Sequence, residues 1–88
     1  MTPIRVIILT QEDCAFCDAA KAMLERLSLD YPLSVTALPL DSTAGQSLAE
    51  KGGILFPPGI VINGEAVFYG RPSERRLRKE IERRLPGS

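Results

Sequence analysis

Cys14 and Cys17 are the only thiols in this 88-residue chain, and Ala15 and Phe16 separate them in a Cys-x-x-Cys pattern. Sulfurs at i and i+3 share one helix face, so the second can reach the first. The chemistry this spacing suits is a disulfide that opens and closes. A helix starting here would aim unpaired backbone N–H groups and its positive dipole end at Cys14, and both stabilise a thiolate. The other readings are a structural pair and half a metal site. Zinc takes four ligands, and the sequence holds no histidine and no third cysteine, so one chain cannot supply a sulfur and nitrogen set. A metal bridged between two chains stays open.

A strand in front and a helix behind must position the pair. Ile4 to Leu9 is apolar on both faces, as in a central strand covered on two sides. After the cysteines, helical spacing puts Cys17, Ala20, Leu24 and Leu27 on one face and Asp18, Lys21 and Glu25 outward. Ser28 to Pro32 closes that helix, and Leu33 to Leu38 alternates like a half-buried strand. Asp41-Ser42 can cap a second helix that ends at Gly52-Gly53. Ile60-Val61-Ile62 and Ala66-Val67-Phe68-Tyr69 flank Asn63-Gly64, a strong hairpin signal. Pro72-Ser73 opens a last helix with a buried stripe of Leu77, Ile81 and Leu85, stopped by Pro86-Gly87.

The order is βαβαββα. Strands joined by a helix should be parallel and right-handed, and the hairpin antiparallel. The expectation is one α/β domain over residues 1–88, with a four-stranded mixed sheet flanked by helices.

Eleven basic and eleven acidic side chains cancel, so no net charge draws the chain to nucleic acid or to an anionic membrane. No apolar run approaches the ~20 residues of a membrane span. Met1-Thr2-Pro3 leads straight into the first strand without a basic region or cleavage site; a secretory signal is not expected, and a reducing cytoplasm is. The basic cluster Arg75, Arg76, Arg78, Lys79, Arg83 and Arg84 is interrupted by Glu74, Glu80 and Glu82 and lacks interleaved aromatics. It reads as a solvated helix face whose basic end can steer an acidic partner.

With its Cys-x-x-Cys after the first strand and Phe56-Pro57-Pro58-Gly59-Ile60-Val61-Ile62-Asn63-Gly64 before the hairpin, the chain resembles the glutaredoxin-like branch of the thioredoxin superfamily from about residue 4 to residue 85. The resemblance implies a thioredoxin-like, glutaredoxin-type fold and a monomeric dithiol–disulfide oxidoreductase with no cofactor. Cys14 is then the attacking thiol and Cys17, one turn further in and more buried, the resolving one. Its partners would be a disulfide-containing protein and an electron donor, either a thioredoxin reductase-like enzyme or glutathione.

In that family a cis-proline before the third strand packs beside the cysteines. Counting back from Asn63-Gly64 places it at Pro58, with Pro57 the alternative. The residue before it pairs its backbone with the substrate's cysteine residue like an added strand. With Pro58 cis, Pro57 lacks the N–H that pairing uses; with Pro57 cis, Phe56 makes the contact.

Phe16 forms an apolar rim for partners or folds onto its helix. Similar glutaredoxins usually carry a Lys in the stretch ahead of the first cysteine, whereas Glu12 and Asp13 stand here. A neighbouring carboxylate opposes a thiolate, so Asp13 should raise the Cys14 pKa; it can also cap the helix. The stretch Phe68-Tyr69-Gly70-Arg71-Pro72-Ser73-Glu74 matches the glutathione-binding Gly-Gly and Ser/Thr-Asp segment loosely, at Ser73 and Glu74. It is nearer the aromatic-Ser-Gly-x-Arg-Pro stretch of redoxins that thioredoxin reductase supplies. Gly70, Arg71 and Ser73 join Phe16, Pro57 and Pro58 as candidate substrate contacts, Arg71 as a carboxylate or partner contact. The leading reading is thioredoxin reductase coupling. The alternatives are a glutathione-dependent glutaredoxin and a module holding a metal or cluster between two chains.

Overall fold

A computed structural model describes residues 2–86. The strands are β1 (Ile4–Thr10), β2 (Leu33–Pro39), β3 (Gly59–Ile62) and β4 (Glu65–Tyr69), and the helices α1 (Ala15–Leu27), α2 (Thr43–Gly52) and α3 (Glu74–Glu82). They alternate as βαβαββα, and the sheet order is β2-β1-β3-β4. β1 runs parallel to β2 and antiparallel to β3, which pairs antiparallel with β4. This is the α/β thioredoxin-type fold. Met1, Gly87 and Ser88 lie outside the described residues, so the expected stop at Gly87 and both ends of the expected domain lie there too.

β1 is the central strand its composition implies. Ile4, Val6 and Ile8 face α1 and α3, packing with Leu24, Ile60 and Ile81. Leu9, with Ile7 beside it, faces the α2 side and packs with Ile54 and Val61. α1 buries Cys17, Ala20, Leu24 and Leu27, the face that helical periodicity selects. Ser42 caps α2, its side chain accepting from the Gly45 N–H, and Gly53 ends it in the left-handed region at φ 67°. Asn63 (φ 49°) and Gly64 (φ 85°) make the two-residue turn between β3 and β4. The Asn63 Oδ1 also accepts the Arg5 N–H at 3.0 Å, which ties the turn to β1.

Two expectations change, and the hairpin adds a bulge. β2 lies at the sheet edge, and Val35 is 42% exposed; Leu33 and Leu38 pack partly, on opposite faces. With one neighbouring strand, β2 is not covered as its alternation suggests. α3 ends at Glu82 rather than running to Leu85. The Arg84 and Leu85 N–H groups tighten onto the Ile81 and Glu82 carbonyls, and Leu85 still packs against the core from that turn. A register shift between Ile60 and Val61 pairs them with Phe68 and Ala66, so Val67 is the extra residue of a bulge. Val67 and Phe68 therefore both pack on the α1–α3 side.

The pairing brings three strand ends together. Leu9 pairs with Gly59, and Gly59 with Tyr69. The exit of β1, the entry to β3 and the exit of β4 thus meet at one end of the sheet, where α1 begins.

Candidate functional site

Cys14 is the N-cap of α1, extended at φ −116° and ψ 102°, and its Sγ accepts the Cys17 N–H at 3.1 Å. The cap position is where a side-chain acceptor meets the free N–H groups of the first turn. Here the acceptor is the sulfur itself. Asp13 is therefore not the cap: it sits one residue earlier in the left-handed region, at φ 53°, with its side chain exposed. Its carboxylate leaves the first-turn N–H groups to the sulfur.

The two sulfurs form a disulfide, with Cα atoms 5.2 Å apart. They differ in access: Cys14 is half-buried, while Cys17 is 1% exposed beneath it. Phe16 is 48% exposed, the outward of its two expected placements.

The Pro57–Pro58 peptide is cis, and Pro58 is buried. Pro58 precedes Gly59, the β3 partner of Leu9, which places it beside the exit of β1 that leads to the cysteines. Its carbonyl accepts the Gly70 N–H at 2.8 Å, binding this loop to the exit of β4. Pro57 carries no N–H. Just ahead of the proline pair stand the N–H and C=O of Phe56, which have no hydrogen-bond partner among the described residues.

Phe56 is the residue that sequence reasoning underweighted. It is 53% exposed, yet held: its ring meets Tyr69 edge-on at 5.0 Å between centroids. Gly70 lies under the same ring at φ 85°. An aromatic two residues ahead of a proline signals nothing by itself; β3–β4 pairing brings Tyr69 and Gly70 to it.

The remaining candidates divide. The Ser73 Oγ accepts the Arg76 N–H at 3.2 Å as the N-cap of α3, which accounts for that residue locally. Arg71 is exposed beside Gly70, and among the described residues it has no hydrogen bond or ion pair. The basic face of α3 is largely occupied. Arg76 donates to the Val67 carbonyl and stacks on Phe68, Arg78 binds Asp30 and Tyr31, and Arg84 bridges Glu80 and Glu65.

The perturbed ionisations lie away from the cysteines. Arg84, hydrogen-bonded to Glu80, holds that carboxyl below its ordinary value, and the hydrogen bond to Glu82 raises the Tyr31 hydroxyl. Among the described residues no three His, Cys, Asp or Glu side chains converge as a metal site, and no helix is long and apolar enough to cross a membrane.

A glutaredoxin family profile matches residues 6–67. This chain belongs to the glutaredoxin family. Within the wider thioredoxin superfamily, it is 31% identical to a thioredoxin of Methanocaldococcus jannaschii across 97% of this chain and 100% of that one. It is 30% identical to a probable thioredoxin of Archaeoglobus fulgidus, covering 91% of this chain and 87% of the other. A mutant thioredoxin from Halobacterium salinarum superposes with a TM-score of 0.72 at 23% identity, over 93% of this chain and 74% of that chain. With the paired Cys14 and Cys17, this glutaredoxin-family chain is a dithiol–disulfide oxidoreductase, and thioredoxin-like proteins act on disulfide substrates with a reductase.

Proposed function

We propose that this glutaredoxin-family protein reduces protein disulfides, with Cys14 as the attacking thiol and Cys17 as the resolving one. The observation that carries this order is the contrast in access: Cys14 Sγ is reachable and receives a backbone N–H, while Cys17 is 1% exposed. Only a thiolate attacks at a useful rate, and a sulfur at a helix cap is stabilised in that form. The Cys14 thiolate attacks one substrate sulfur, forming a mixed disulfide and releasing the other sulfur as a thiolate. Cys17, deprotonated, then attacks Cys14 Sγ. The remaining substrate sulfur leaves, and two electrons have passed to the substrate, leaving Cys14–Cys17 oxidised.

Around this pair, the exposed rings of Phe16 and Phe56 supply apolar contact. Pro58 shapes the floor, Gly70 keeps the Phe56 ring in place, and Arg71 is free to take a partner's carboxylate. Because Pro57 donates nothing, Phe56 offers the backbone N–H and C=O for strand-like pairing with the substrate.

The electron donor we assign is a thioredoxin reductase-like enzyme rather than glutathione. Glu12 and Asp13 precede Cys14, and their charge opposes an anionic tripeptide. The relatives named thioredoxin span nearly the whole chain, which supports the same donor. The protein works as a monomer in a reducing compartment such as the cytoplasm, without a bound cofactor.

The first experiment equilibrates the pair against glutathione buffers and reads its state by mass after thiol trapping. A two-electron couple near about −270 mV supports supply by thioredoxin reductase, and about −200 to −230 mV points to glutathione. Absence of an intramolecular disulfide at any poise overturns the redox reading and revives a metal held between two chains. Cys14→Ser should abolish exchange and Cys17→Ser should accumulate mixed disulfides; full activity of Cys14→Ser would reverse the roles.

A further inference from the structure

A groove of about 720 Å³ opens on the α2 side of the sheet, beside the loop that leads from β1 to Cys14. Its apolar wall is Leu40, Ala49, Ile54 and Leu55, and Gln11, Gln46, Asp41, Glu50 and Gly53 complete the lining. Leu55 is 74% exposed at the groove and is followed in the chain by the exposed Phe56, which belongs to the disulfide site. Gln11 begins the segment that carries Glu12 and Asp13 to Cys14.

The charge of this groove has one sign. Asp41 and Glu50 line it without any Lys or Arg. The ion pairs of the described residues engage other carboxylates, Asp30, Glu65, Glu74 and Glu80 among them, and none engages Asp41, Glu50, Glu12 or Asp13. Glu50 also stands near the C-terminal end of α2, where the helix dipole disfavours a negative charge. An apolar trough with uncompensated carboxylates suits an apolar chain that carries cations.

We propose that this groove docks the polypeptide flanking the substrate cysteine, and that it selects a flank with an apolar residue and a Lys or Arg. This rests on the disulfide-reductase reading above and deepens it by naming the substrate class. The apolar side chain lies against Leu40, Ile54 and Leu55, while the cation sits between Asp41 and Glu50.

The test compares three synthetic peptide disulfides with Leu-Lys, Leu-Gln or Leu-Glu flanks, and a small uncharged disulfide serves as reference. At low ionic strength the Lys peptide should exceed the Glu peptide by about fivefold or more in kcat/KM, mostly through KM, and added salt should narrow the gap. Asp41→Asn with Glu50→Gln should bring the three peptides close together. Glu50→Gln alone, which removes a charge the α2 dipole opposes, should narrow the gap without cost to folding. Glu25→Gln on the outer face of α1 should keep it. Equal rates for all three peptides, or a preference that survives the double variant, overturn the proposal while the oxidoreductase stands. A dimer that the double variant dissolves assigns the groove to a second copy and also overturns it. No exchange even with the uncharged reference defeats the underlying redox reading instead.

Discussion

The ring of Phe56 lies so close over Gly70 that a Cβ added to the glycine would fall 2.9 Å from Phe56 Cε2. Gly70 also has φ 85°, a conformation that disfavours any side chain. Gly70→Ala should therefore cost about 1–2 kcal/mol in urea unfolding and displace the ring. Phe56→Ala should raise KM for peptide disulfides about tenfold, with kcat much less changed, because it removes apolar contact rather than the reacting sulfurs. An unchanged KM in both variants would remove Phe56 from the substrate surface.

Asp13 already occupies the left-handed region that Asn tolerates, so Asp13→Asn removes the charge beside Cys14 without backbone strain. Less negative charge next to the sulfur favours the thiolate. In the reduced protein, iodoacetamide alkylation of Cys14 at neutral pH should speed up about two- to fivefold at low salt, and less at high salt. An unchanged rate would mean that solvent screens Asp13 from the sulfur.

Gly45→Ala tests the seat of α2. Alanine in an open helix position gains up to about 1 kcal/mol over glycine. Here the new Cβ would lie 2.1 Å from the Pro39 carbonyl oxygen, a backbone atom at the end of β2. The sign should reverse, to a loss of about 2 kcal/mol or more by urea titration. A stabilised variant would show that α2 stands further from β2.

Glu80 pairs with Arg84 at 3.0 Å, both side chains largely covered at 19% and 14% exposure, and the hydrogen bond from Arg84 leads in lowering its pKa. A depressed carboxylate contributes stability that is complete above its ordinary value of 4.5 and is lost as pH falls through the lowered folded value. Glu80→Gln should be less stable than the parent by about 0.5–1 kcal/mol at pH 7. The gap should close as pH falls below 4.5 and through the lowered folded value. An equal gap at both ends would place the effect outside this ion pair.

Much of this architecture is written in local periodicity. The α1 face of Cys17, Ala20, Leu24 and Leu27 follows from a helical repeat, and Asn63-Gly64 announces the turn that β3 and β4 share. The Cys-x-x-Cys behind an apolar strand and the proline pair ahead of β3 were readable as a redox pair and its companion loop. Each is a constraint between residues a few positions apart, which backbone geometry alone enforces.

What the linear order could not state are contacts that exist only once strands pair. Val35 is exposed because β2 has a neighbour on one side only, and Val67 turns inward because one bulge shifts the register. Cys14 rather than Asp13 caps α1, because Asp13 takes a left-handed backbone and places the sulfur at the cap position. Phe56 over Gly70, and Gln11 with Asp41 and Glu50 around one groove, join residues far apart in the chain. The residues that do the chemistry were legible in the sequence, since a single turn of helix holds both sulfurs. The surface proposed to meet a substrate was decided by tertiary structure, because it is assembled from the ends of several elements that only sheet registry brings to one edge.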